Sequence, residues 1–262
     1  MNLKKRWLSK FKIKNSSWVF VPNKYARNYG NNVKIKIDEL WKKPDYYFHL
    51  RDGGHIEALK CHTNNYYFIH TDIKDFFCCI NKSRLTRNLK KFFNYEKARQ
   101  IANESTIQCP NSNFKKYILP FGFIQSPILA SLCLHNSKLG IYLDKLNKLP
   151  NISVSVYMDD IIISNKVKSE LDKILEDLIS ISEYSKFPLN KQKTEICSKI
   201  TSFNIELSYK KLKITKKRMI EFLDDYKNGY KYQKIGILNY IFSVNKKQFE
   251  KFLTYLKANC LA

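Results

Sequence analysis

The chain has 262 residues, 44% of them hydrophobic and 27% charged, a composition that excludes a disordered tail and supports one large domain or two small ones. Its 47 Lys and Arg against 23 Asp and Glu leave a formal charge of +24, and 14% of the residues are aromatic. A chain this basic and this aromatic calls for a polyanionic partner, nucleic acid first. No run approaches the roughly 18 consecutive apolar residues of a bilayer-spanning helix, and Met1–Trp7 lacks the apolar run of a secretory signal. Seven cysteines without a CxxC pair read as the reduced thiols of a cytoplasmic protein. The five histidines (49, 55, 62, 70 and 135) show no metal-ligand spacing.

In chain order, the first acid is Asp38, preceded by a one-sign block from Lys4 to Lys36. Trp7, Phe11, Trp18 and Phe20 are interleaved with it, which argues for an ordered basic element built against phosphates. A weakly patterned stretch follows to Asn65, with a turn signal at Asp52-Gly53-Gly54. Tyr66–Ile73 is aromatic and β-branched, a strand that ends at Asp72. The periodicity predicts a helix over 83–103, with Leu85, Leu89, Phe92 and Phe93 on one face, broken at Pro110 and Asn111-Ser112-Asn113. A short strand at 117–119 precedes an apolar helix over 126–147, opened by Ser126-Pro127. Residues 152–164 read as two strands joined by a tight acidic turn at Asp159-Asp160. Beyond lie a helix over 167–185, a loop from Phe187 to Lys193, a hairpin near 201–215 and two or three helices over 216–262.

Asp72 closes one strand and Asp159-Asp160 form the turn of another pair, all in apolar β sequence within a strongly basic chain. Each alone reads equally as an ordinary turn residue. Brought together at a sheet end, they would repel unless a divalent cation neutralised them. Carboxylates without His or Cys beside them suit Mg²⁺, and two such ions activate an attacking hydroxyl and stabilise a pyrophosphate leaving group.

Four words of the sequence carry a resemblance. Tyr157-Met158-Asp159-Asp160 is the YxDD box of reverse transcriptases; Thr71–Phe77 (TDIKDFF) resembles their first catalytic motif, Leu119–Pro127 (LPFGFIQSP) their second, and Leu189–Thr194 (LNKQKT) a later one. The four stand in the family's order over about 66–194. The resemblance implies an α+β right-hand polymerase with an antiparallel palm sheet. It implies fingers and a basic arm over 1–65, fingers and palm over 66–215 and a short helical thumb over 216–262. Asp72, Asp159 and Asp160 would hold two Mg²⁺, with Mn²⁺ as a substitute, and the Ile73 carbonyl would complete one site. Lys193 would be a general acid beside the pyrophosphate, and Phe77 would meet the incoming sugar and clash with a 2′-hydroxyl. Phe121 and Gly122 would line the dNTP site, with Lys24 and Arg27 on the triphosphate. Tyr157, Met158, Ser126, Phe203, Lys216, Lys217 and Arg218 would contact template or primer. An ordinary core role for Phe77, and solvated faces for the finger and thumb lysines, stay open.

Phe121 stands where many of the family carry Gln, and the LPFGFIQSP form is similar to the bacterial defence-associated and abortive-infection enzymes. Retrons come second. Their Asn-Ala-x-x-His is met loosely by Ala58 and His62, and their Val-Thr-Gly by Ile200-Thr201-Ser202. The leading expectation is RNA-directed DNA synthesis with a dedicated non-coding RNA in anti-phage defence. Template or non-coding RNA, a DNA primer, dNTPs, and an effector protein or second copy of the chain would be its partners. Template-independent or protein-primed synthesis is the alternative, and a catalytically silent RNA-binding protein on the same scaffold is the third.

Overall fold

A computed structural model describes residues 6–13, 18–109 and 116–259. Lys4, Lys5 and Lys14 of the basic arm and the expected break at 110–113 lie outside them. The centre is a four-stranded antiparallel sheet of β3 (Tyr67–Asp72), β6 (Ser153–Tyr157), β7 (Asp160–Asn165) and β8 (Glu195–Cys197), in the order β6-β7-β3-β8. Its β-branched side chains alternate between two cores, as the pleat requires. Ile69, Ile161 and Ile163 belong to the larger core, whereas Phe68 and Ile162 belong to the other. The larger core is closed by α5 (Ser126–His135), α6 (Lys138–Asn147) and α7 (Lys168–Tyr184). The second is shared with a three-stranded sheet and with α8 (Lys216–Asn228), α9 (Lys231–Val244) and α10 (Lys246–Ala258).

The N-terminal part is ordered where described. β1 (Trp7–Lys12) and β2 (Trp18–Pro22) form a hairpin that runs into α1 (Lys24–Leu40), capped by Asn23. Trp7 meets Phe20 edge-on, and Lys10 and Lys12 lie over the Trp18 ring. The stretch without pattern becomes a 3-10 turn at Phe48–Leu50 and α2 (Gly54–Lys60). Among the described residues no helix is long and apolar enough to cross a membrane.

Three expected elements are divided further. The helix over 83–103 is two, α3 (Lys82–Leu89) and α4 (Tyr95–Ser105), because the Asn94 side chain accepts from Lys97 N–H and starts a new helix. The helix over 126–147 breaks between α5 and α6 for the same reason, with Ser137 capping Gly140 N–H. Gly140 is obligatory there: a Cβ would lie 2.2 Å from the Leu134 carbonyl oxygen. The helix start is also shifted, since Gln125 rather than Ser126 is the cap residue. The hairpin near 201–215 is a three-stranded meander of β9 (Lys199–Ser202), β10 (Ile205–Ser208) and β11 (Lys211–Ile214). Its turns use left-handed Phe203, Asn204 and Lys210. The expected strand at 117–119 pairs as β5 (Tyr117–Ile118) with β4 (Ile107–Gln108).

Candidate active site

Sheet register brings the acids together. Asp72 ends β3 and Asp160 begins β7, and the two are direct antiparallel partners. Asp159 precedes them in the turn, where its carbonyl accepts from Ile73 N–H at 2.9 Å. The loop after α7 closes the same end of the sheet: Lys74 N–H donates to Pro188 O at 2.8 Å and Asn190 N–H to Asp72 O at 2.9 Å. Lys193 thereby comes within 2.9 Å of Asp72 Oδ1. Two segments 114 and 118 residues apart at these bonds thus meet through the backbone.

The electrostatics follow from this crowding. Burial, assisted by the like charges of Asp160 and Asp72, raises Asp159 from 3.8 to about 6. The hydrogen bond to Asp72 raises Lys193, which keeps its proton at neutral pH. His70, two residues before Asp72 on β3, has Nε2 3.5 Å from Asp160 Oδ1. Among the described residues no three acidic, His or Cys side chains are gathered as a ready metal cage: Asp72 is turned to Lys193 and Asp160 to His70. The donors nevertheless suit a hard cation, being carboxylate oxygens crowded at one end of the sheet.

The other expected residues fall into three places. Phe77 is buried against Phe76, and the Phe121 ring stands edge-on to it at 4.5 Å. Phe121 is tied to the N-terminal hairpin through Phe20 N–H, which donates to its carbonyl at 2.9 Å. Gly122 has φ +97°, and a Cβ there would lie 2.3 Å from Phe20 O, so only glycine lets the two segments touch. Lys24 and Arg27 are exposed on the first turn of α1, with Arg27 Nε donating to Pro22 O; neither contacts the acids. Ser126 is fully buried, and its hydroxyl has no partner among the described residues.

On the far side of the turn, Tyr157, Phe203 and Arg218 line one open cleft of about 1000 Å³ between the sheet and the C-terminal helices. Tyr157 and Phe203 meet edge-on at 5.0 Å, and Arg218 lies over Phe222 and pairs with Glu221. Lys216 and Lys217 are exposed beside it. Met158 faces a separate cleft of about 490 Å³, shared with Lys34, Asp38 and His49.

Two neighbours escaped the sequence reading. His70 is signalled by the alternation of β3, which puts it on the face of Asp72. His49 carries no signal: it lies in a stretch without pattern, yet accepts a hydrogen bond from Met158 N–H.

Comparison with curated protein sequences gives no match. Among solved structures, the chain is similar to telomerase from Candida albicans in complex with a fragment of telomeric RNA. The TM-score is 0.57 at 11% identity, covering 91% of this chain and 53% of that one. Telomerase from Candida tropicalis, also with a telomeric RNA fragment, gives 0.56 at 11% identity, covering 97% and 54%. Apo telomerase from Candida tropicalis gives 0.55 at 12%, covering 73% and 40%. The chain spans about half the length of the first of these, and the likeness is one of fold: the right-hand polymerase. The profile of the family described as reverse transcriptase (RNA-dependent DNA polymerase) matches residues 14–223. That span takes in all four motifs and the whole acid-bearing sheet, and the chain belongs to this family.

Proposed function

We propose that this chain catalyses RNA-directed DNA synthesis, adding dNTPs to a primer 3′ end. One observation carries the reading: three carboxylates from two distant segments converge at one end of the sheet, with Lys193 2.9 Å from Asp72. A structural role needs no such concentration of like charge. Asp72, Asp159, Asp160 and the Ile73 carbonyl would hold two Mg²⁺. Bound there, the ions would supply charge neutralisation for the triphosphate and acidify the primer hydroxyl. Lys193 holds its proton at Nζ, the group that would protonate the departing pyrophosphate.

Around this centre, Phe77 would exclude a 2′-hydroxyl, with Phe121 and Gly122 walling the dNTP site and Lys24 and Arg27 on the triphosphate. Tyr157, Met158, Ser126, Phe203, Lys216, Lys217 and Arg218 would meet the nucleic acid. The division into fingers (1–65), fingers and palm (66–215) and thumb (216–262) belongs to the same reading. So does work in the cytoplasm, which rests on the cysteines without a CxxC pair, with a dedicated RNA in anti-phage defence, which rests on the LPFGFIQSP wording.

The test is primer extension with Mg²⁺ and dNTPs on an RNA template, beside a reaction without template, with the products sequenced. Product complementary to the template is expected. Product of unrelated sequence in both reactions would replace this reading with untemplated synthesis, and no product at all would refute it.

A further inference from the structure

The turn that carries Asp159 and Asp160 has a conformational cost built into it. Met158 adopts φ 61°, a left-handed state that costs a residue with a side chain on the order of 1 kcal/mol. Its N–H donates to Nδ1 of His49 at 3.0 Å. A backbone N–H has no other role, so Nδ1 is the acceptor and the ring proton sits on Nε2. That atom is 2.7 Å from Ser131 Oγ, and Ser131 Oγ donates onward to Pro127 O at 3.0 Å. A single tautomer satisfies the whole chain. Burial pushes His49 down to about 4, with the Val156 carbonyl pulling the other way, which keeps the imidazole neutral and Nδ1 free to accept.

His49 is itself held firmly. The segment before it is docked on β6: Val156 N–H donates to Tyr46 O at 2.8 Å, and Tyr47, fully buried, bridges Val156. The Tyr157 ring stands edge-on to the imidazole at 5.7 Å. At the other end Ser131 lies within α5, the helix that follows the LPFGFIQSP loop. One neutral imidazole therefore joins the acidic turn to that helix, independently of the sheet.

We propose that His49 is a positioning residue for the reaction: its bond to Met158 N–H holds the left-handed turn and so aims Asp159 and Asp160. This rests on the polymerase reading above for its kinetic consequence, but not for its structural one.

Two conservative variants separate the two bonds. His49→Asn keeps an acceptor near the place of Nδ1 and gives up Ser131. His49→Gln reaches Ser131 with its amide nitrogen and leaves Met158 N–H without an acceptor. Because the chain has three methionines, ¹⁵N-methionine labelling reads the Met158 amide directly. Met219, whose N–H donates to Thr215 O at 3.0 Å in the first turn of α8, serves as the internal control.

The Met158 amide should be protected from exchange in the wild type and in His49→Asn. In His49→Gln it should exchange roughly tenfold faster or more, with Met219 unchanged. On a primed RNA template, kcat should fall about tenfold in His49→Gln with the dNTP KM within about twofold, and His49→Asn should recover most of the loss. A merely structural histidine would not be rescued by Asn and failed by Gln. Unchanged Met158 exchange in His49→Gln, or equal kinetic defects in both variants, would overturn the proposal. A wild type that extends no primer would instead refute the polymerase reading, and the exchange result would still decide the histidine.

Discussion

Asp72 and Asp160 face each other across paired strands, backed by the fully buried Ile69, Ile161 and Ile163. Lys216 and Lys217, by contrast, stand exposed on the first turn of α8, with no ion-pair partner among the described residues. The sheet forces like charges together at a cost in electrostatic energy, and its hydrogen-bond register, with the Lys193 ion pair and the His49 bond to the turn, keeps them there. The helix spreads like charges into solvent, where each is interchangeable with its neighbours. Substitutions in the sheet and at its acidic end should therefore act sharply and one at a time, and those on the helices gradually and in sum.

The largest expected contrast is in stability. Ile163→Ala, in the middle of β7 and fully buried, should cost about 3 kcal/mol in urea unfolding, whereas Ile220→Ala, 60% exposed on α8, should stay within about 0.5 kcal/mol. Comparable losses at both sites would erase the distinction between a rigid sheet and a permissive helix.

Next comes the electrostatic cost of the acids. Asp159 is raised to about 6 in the fold, so its ionised form is disfavoured there, and stability is lost as pH rises from 3.8 through that value. Without divalent cations at pH ~8, Asp159→Asn should gain about 2 kcal/mol, a few degrees in Tm, and at pH ~4 the two proteins should converge. Equal melting differences at both pH values would show that the carboxylate bears no such strain.

A smaller effect is expected at Phe77. If the ring under Phe121 meets the sugar, Phe77→Val should raise rNTP incorporation relative to dNTP by about tenfold, or ~1.4 kcal/mol. The ratio is insensitive to any loss of core packing, so an unchanged ratio would return Phe77 to a core role. Smallest is the helix prediction. Lys216→Gln with Lys217→Gln should lower the slope of log affinity against log salt for duplex by up to roughly 2, since each phosphate contact contributes about 0.9. An unchanged slope would make these lysines a solvated face.

The same contrast explains how much of the molecule was legible beforehand. β3, β6 and β7 could be read because runs such as Tyr67–Ile69 and Ile161–Ile163 are β-branched and aromatic, and because the acids interrupt them at sheet ends. The helix breaks at Asn94 and Ser137 were overlooked because Phe92, Phe93 and Leu139 carry the apolar periodicity across them; the capping side chains were the available signal. The third strand of the meander was lost to turns made by Phe203 and Lys210, residues that rarely take φ > 0 and so do not advertise a turn. His49 was illegible for a different reason. Its partner is a backbone N–H, created by the conformation of a turn 109 residues later, and no side-chain pattern encodes that.

The central claim is that the converging carboxylates are required for the chemistry and not for holding nucleic acid. The most direct measurement is single-turnover dNTP addition to a primed RNA template by Asp159→Asn, with template-primer affinity measured on the same sample. The account predicts addition reduced by at least about 10³-fold with affinity unchanged within about twofold. Addition within about tenfold of wild type at intact affinity would contradict it.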